Sequence, residues 1–172
     1  MSGHSKWSQI KHKKALTDKK KGQIFSKLSK LITLTAKRGT DPKSNPELAQ
    51  IIEQARAVNM PRDNIERAVK KVSDKFSDSL EELSIDAMGP GGIALRIKAT
   101  TDNRNRTIAE IKAILAEHES KMVPPGSISW MFQQPHQSPD EDTKNKIGSL
   151  FEALDEQDEV EDVSSNFSLN WN

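Results

Sequence analysis

Apolar residues recur along this chain with two different periods, and the change falls near residue 80. Before it, Ile24, Phe25, Leu28, Leu31, Ile32 and Thr35 return every three or four positions and stop at Gly39, ahead of Asp41-Pro42. That spacing is one face of a helix, and Gly39 suits its C-terminal end, so a helix is predicted over 23–37. Pro46, Leu48, Ile51, Ile52, Ala55 and Val58 mark a second helix, with Pro46 tolerated in its first turn. Met60-Pro61 breaks it, and Ile65, Ala68, Val69 and Val72 carry a third. Together these give a three-helix domain over 23–75.

Residues 74–80 are polar, and beyond them alternation replaces helical spacing. Leu83, Ile85 and Ala87 alternate before Gly89-Pro90-Gly91-Gly92, and Ile93, Leu95 and Ile97 alternate after it, which reads as a β-hairpin. Thr107-Ile-Ala-Glu110 matches a capping box ahead of Ile108, Ile111 and Leu115, the stripe of a helix. Ile128-Ser-Trp-Met-Phe132 reads as a third strand, and 133–143 as a linker. Ile147, Leu150, Phe151 and Leu154 form another helical face, and 160–167 supplies a last strand. The expected fold class is α+β: a three-helix unit, then over 80–172 a four-stranded sheet with two helices on one face.

Charge divides the chain the same way. Residues 1–75 carry 18 Lys or Arg and 7 Asp or Glu, a net of +11, and residues 76–172 carry 8 and 18, a net of −10. Within the first forty residues there are eleven Lys or Arg against Asp18 alone. Such an imbalance points to a polyanion, since Lys and Arg that neutralise phosphates release condensed counterions. Residues 1–22 lack apolar periodicity and are expected to be a basic arm, extended or helical only when bound. Its candidate contacts are His4, Lys6, Trp7, Lys11, His12, Lys13, Lys14, Lys19, Lys20 and Lys21, with Lys27 just beyond. Trp7 is the one aromatic in the arm and would stack on an unpaired base. The acidic half would repel the same polymer and is left for basic protein or solvent.

The absence of cysteine excludes disulfides, thiolate nucleophiles and thiolate zinc sites. No apolar run approaches a membrane span, and the basic start, which superficially resembles a transit peptide, has poor helical amphipathicity and reads as part of the mature protein. GPGG joins two strands rather than opening a helix, so a turn is preferred to a phosphate loop. In TDNRNRT, Arg104 and Arg106 precede a helix start and fit either an anion site or a capping turn. His4, His12, His118 and His136 have no ligand spacing, and no hydrolytic motif is present; neither an enzyme nor a metal, cofactor or small-molecule substrate is expected. Trp130 and Phe132 share a strand face, where core packing is favoured over base stacking. Trp171 lies too near the end to interpret.

Six ordered segments, GHSKWSQIKHKK at 3–14, KGQIFSKL at 21–28, DPKSNPEL at 41–48, NMPRDNIERAVKK at 59–71, MGPGGIAL at 88–95 and TDNRNRTIAEIK at 101–112, resemble the YebC family, which includes a mitochondrial translational activator of cytochrome c oxidase. FEALDEQDEVEDVSSNF at 151–167 also resembles the end of the family pattern. Two departures stand out. Ile85-Asp86-Ala87-Met88 replaces a tyrosine- and glycine-containing sequence, and only 133–143 stands where the family carries a further α/β domain. The chain therefore looks like a short form without the third domain.

The resemblance implies a cytoplasmic, non-enzymatic factor described as a probable transcriptional regulator, with related proteins acting on ribosomes that translate proline-rich stretches. No helix-turn-helix is evident, and an irregular Lys, His and Trp arm suits folded RNA better than duplex base edges. Ribosome and rRNA binding ranks first, with the acidic domain left for ribosomal proteins or solvent; DNA-binding transcriptional regulation ranks second, and a protein-interaction module using the acidic half third.

Overall fold

The computed structural model describes residues 17–134, 136 and 138–167. Packing divides these into a helical unit, residues 17–82 with Thr100–Arg104, and a sheet unit, Leu83–Ala99 with residues 105–167.

The helical unit is built on α1 (Asp18–Ala36), α2 (Pro46–Ala57) and α3 (Arg62–Lys70), followed by a short α4 (Lys75–Ser79) where only a polar stretch was expected. Helix α1 starts five residues before the predicted position. The Thr17 side chain accepts the Lys20 N–H at 3.3 Å and Asp18 sits in the positive first turn, so the Lys19–Lys21 run belongs to the helix rather than to an extended arm. Asn45 joins α1 to α2. Its Oδ1 caps the Leu48 N–H at 3.1 Å, while its Nδ2 donates to the carbonyls of Thr35 and Gly39 at 3.0 and 2.8 Å. The Thr33 hydroxyl lies 2.8 Å from the Ala68 carbonyl, so small residues bring α1 and α3 close together. Ile24, Leu28, Ile32, Leu48, Ile52, Ala55, Ile65 and Ala68 are buried between these helices.

The sheet unit runs β1 (Glu81–Met88), a 3₁₀ turn at Pro90–Gly92, β2 (Ala94–Thr101), α5 (Arg104–Glu117), β3 (Lys121–Met122), a 3₁₀ segment at Ser129–Gln133, α6 (Glu141–Glu156) and β4 (Val160–Ser165). Strand order is β3-β1-β2-β4. Strand β3 pairs antiparallel to β1 through Ala87 with Met122 and Met88 with Lys121. Strand β4 pairs antiparallel to β2, from Leu95 with Ser165 to Lys98 with Asp162, and a bulge follows between Lys98 and Ala99. Alternation puts Leu83, Ile85 and Ala87 of β1 with Ile93, Leu95, Ile97 and Ala99 in one core. Ile111 and Leu115 of α5 and Ile147, Leu150 and Leu154 of α6 complete that core, so the helices cover one sheet face as the sequence predicts.

Two expectations are corrected here. Ile128–Phe132 is not a strand: Ser129–Gln133 winds as a 3₁₀ helix, and the third strand is the two-residue Lys121–Met122. The capping box fails because α5 begins three residues before Thr107, leaving that buried hydroxyl inside the first turn, where it donates to Glu159.

The GPGG segment is a turn. Gly91 and Gly92 hold φ of 67° and 75°, a left-handed backbone that L side chains rarely adopt, and a Cβ on Gly91 would stand 2.7 Å from Thr143 Cγ2.

Candidate nucleic-acid interface

Of the residues singled out for polyanion contact, His4, Lys6, Trp7, Lys11, His12, Lys13 and Lys14 lie outside the described residues, as does Trp171. Lys19 and Lys21 are exposed in the first turn of α1, and Lys20 between them is half-buried. Lys27 is different. At 3% exposure it is held inside the helical unit, because its position three residues after Ile24 falls on the apolar stripe. Its ammonium is withdrawn from a passing phosphate backbone.

The TDNRNRT arginines sit within the first turn of α5 rather than before it. Arg104 Nη1 lies 3.5 Å from the Glu81 carboxylate, and both side chains are about half exposed. Arg106 Nη2 donates to Glu159 Oε1 at 2.6 Å, and that carboxylate is almost fully buried. With Thr107 also donating to it, Glu159 ties the start of α5 to the approach to β4. Arg106 is therefore committed to neutralising a buried acid, and Arg104 is the more available of the two.

On the sheet face opposite the helices, Asp86 and Arg96 form a bidentate pair, Nε to Oδ1 at 2.8 Å and Nη2 to Oδ2 at 3.1 Å. The Gly126 N–H donates to Asp86 Oδ2 at 2.8 Å, and Arg96 Nη2 also meets Ser129 Oγ at 3.1 Å. The hydrogen bond from Arg96, reinforced by the Gly126 amide, holds the Asp86 carboxyl below its ordinary range against the cost of burial. The Arg96 guanidinium lies 5.1 Å from the centre of the Phe132 ring. These contacts clasp the 3₁₀ segment to the sheet. They leave Phe132 partly covered and Trp130, at 60% exposure, pointing to solvent rather than into the core.

The histidines inside the described residues have local partners: His118 Nδ1 bonds the Ile114 carbonyl at 2.8 Å, and His136 Nε2 bonds the Gly91 carbonyl at 2.9 Å. No group of three His, Asp or Glu among the described residues is placed to hold a metal ion. Sequence reasoning passed over the polar face of α3, where Asn64, Arg67 and Lys71 recur one turn apart. The signal was the helical period of that polar stripe, opposite Ile65 and Val69.

Residues 5–75 match the TACO1/YebC protein N-terminal domain, and residues 80–137 match the TACO1/YebC second and third domain. The chain belongs to the TACO1/YebC family. A "Probable transcriptional regulatory protein" of Chloroherpeton thalassium is 51% identical over 136 residues, covering 78% of this chain and 54% of the relative. One of the same name from Chlorobium chlorochromatii is 44% identical over 169 residues, covering 92% and 68%. The chain thus spans about half the length of most curated relatives it matches. The crystal structure of a conserved hypothetical protein from Aquifex aeolicus superposes with a TM-score of 0.80 at 28% identity, covering 96% of this chain and 98% of that one. Among the described residues, no helix is long and apolar enough to cross a membrane.

Proposed function

We propose that this chain is a non-enzymatic nucleic-acid-binding factor of the cytoplasm that associates with ribosomes through rRNA and assists translation through stall-prone, proline-rich sequences. One observation carries the reading: eleven Lys or Arg against one acid in the first forty residues, with Lys19 and Lys21 exposed where that segment enters α1. A cluster of this density releases several counterions on meeting a phosphate backbone and supplies affinity without reading a sequence. Holding RNA or tRNA in one orientation lowers the barrier to a slow step without any covalent chemistry from the protein. Arg104 joins Lys6, Lys11, Lys13, Lys14, Lys19, Lys20 and Lys21 as a candidate contact, while Arg106 and Lys27 serve the fold.

A second reading, a DNA-binding transcriptional regulator, is favoured by the name that the relatives carry. Crosslinking in cells followed by sequencing of the attached nucleic acid separates the two. Recovery of rRNA, with pauses at proline runs in a deletion strain that an arm-deleted copy does not relieve, supports the ribosomal reading. Occupancy and altered output of a defined promoter set, with pausing unchanged, replaces it with the transcriptional one.

A further inference from the structure

The chain has seven arginines, and six of them face a carboxylate: Arg38 with Glu47, Arg56 with Glu53, Arg62 with Glu66, Arg96 with Asp86, Arg104 with Glu81 and Arg106 with Glu159. Arg67 is the exception among the described residues. Its Nε donates to the Asp63 carbonyl at 3.3 Å and its Nη2 to the Asn64 amide oxygen. Both acceptors are neutral, so the guanidinium is oriented but keeps its full charge. Three of its five N–H donors remain for a ligand.

Those donors border a polar notch of about 260 Å³, lined by Ser29 of α1 and by Asn64, Arg67, Ala68 and Lys71 on and just beyond α3. The notch has a local cause. The Thr33 hydroxyl meets the Ala68 carbonyl at 2.8 Å, which fixes the two helices close together. One turn before Thr33, the small Ser29 leaves space between them. Asn64, Arg67, Ala68 and Lys71 follow at i, i+3, i+4 and i+7, a single stripe of α3 and its 3₁₀ extension, so both cations face the same opening. Lys71 is exposed and makes no ion pair among the described residues. An oriented planar fork beside a point charge, with a hydroxyl and an amide between them, is the chemistry of phosphate recognition.

We propose that Arg67, Lys71, Asn64 and Ser29 form a backbone-phosphate site on the helical unit, a second anchor for the nucleic acid gripped by the arm. The inference rests on the nucleic-acid reading above and adds to it a contact in the folded domain. Lys21 lies eight residues before Ser29 on α1, roughly 12 Å along the axis, so one strand can engage both the notch and the start of α1. Arg67 sets register and grip rather than sequence preference, because a phosphate carries no base information.

The test uses the full chain and a fluorescein-labelled twenty-nucleotide oligouridine, with binding followed by anisotropy over a salt series. Arg67→Gln with Lys71→Gln should lower the logarithmic salt slope by about 1.4, two phosphate contacts at 0.7 each for a single strand. Affinity near 0.1 M salt should fall roughly tenfold, with the unfolding midpoint unchanged because both side chains are exposed. Arg67→Lys should keep the slope and still lose several-fold in affinity, since the charge remains and the fork is gone. Wild-type slope and affinity in the double variant, alongside weakened binding by Lys11→Ala/Lys13→Ala/Lys14→Ala, would remove the notch and leave the arm. Failure of the wild-type chain to bind the oligonucleotide at any salt would overturn both.

Discussion

In the sheet unit, Arg96 and Arg106 pair with Asp86 and Glu159, carboxylates only 4% and 5% exposed. In the helical unit, Arg56 and Arg62 pair with half-exposed or exposed acids within one turn of their own helices, and Arg67 meets no acid among the described residues. The same residue type is thus a clamp on a buried acid in one region and a solvated or open cation in the other. What separates them is the presence of a buried carboxylate, whose charge is expensive to leave unpaired. A basic motif read without its acidic counterpart gives no sign of which kind it is. The Arg106–Glu159 pair spans 53 positions, beyond any local pattern.

That contrast can be broken at its apolar base first. Leu150→Ala, at a fully buried position between α6 and the sheet, should destabilise the sheet unit by about 3–4 kcal/mol, read as a lower urea midpoint. An effect below about 1 kcal/mol would mean that α6 does not close this core. Glu159→Ala should cost about 2–3 kcal/mol, because it removes the buried carboxylate to which both the Thr107 hydroxyl and Arg106 donate, while leaving oligonucleotide affinity unchanged. A variant of wild-type stability with altered binding would reassign Arg106 to the interface.

Acid sharpens the comparison further. Asp86 has a folded pKa below its unfolded one, held there chiefly by the Arg96 hydrogen bond. Its contribution is therefore complete above the ordinary carboxylate range and disappears as pH falls through the lowered folded value. Asp86→Asn should reduce stability at pH 7 and flatten the acid limb below about pH 4 in a urea titration against pH. An equally steep limb in the variant would transfer that dependence to other carboxylates. The smallest effect belongs to Arg104→Gln. Its pair with Glu81 is half exposed, so stability should change by less than about 1 kcal/mol, whereas a phosphate contact would lower the single-strand salt slope by about 0.7.

Much of this architecture was legible because burial imposes a period. Helices α2 and α3 start and stop beside Asn45, Pro46 and Pro61, and β1 and β2 follow their alternating Leu, Ile and Ala on either side of the glycine turn. The misreadings have equally specific causes. The lysine run hid the start of α1, although Thr17-Asp18 is an N-terminal signal. Ile128, Trp130 and Phe132 imitate strand alternation, yet only Ile128 is buried. The residues that hold their segment, Asp86 and Arg96, lie more than thirty positions upstream. Lys121–Met122 has no apolar pattern to announce it and is a strand only by backbone pairing with Ala87 and Met88. The candidate interface stands in the sequence as charge alone, while the division of cations between fold and surface depends on contacts between distant residues.

Strand β4 lies beside β2 although some sixty residues separate them in sequence, and its Val160 and Val163 belong to the same core as Leu83 and Ile97. During synthesis, then, the helical unit can gather its largely local contacts while the sheet still lacks its β4 edge. The sheet core closes only after residue 165 has left the exit tunnel. For that interval Leu95 and Ile97 stand on a strand with an open side, the state in which a nascent chain is most prone to pair with a neighbour. The charged Arg96 and Lys98 interleaved along β2 are then gatekeepers of biosynthesis, discouraging the wrong partner until β4 emerges.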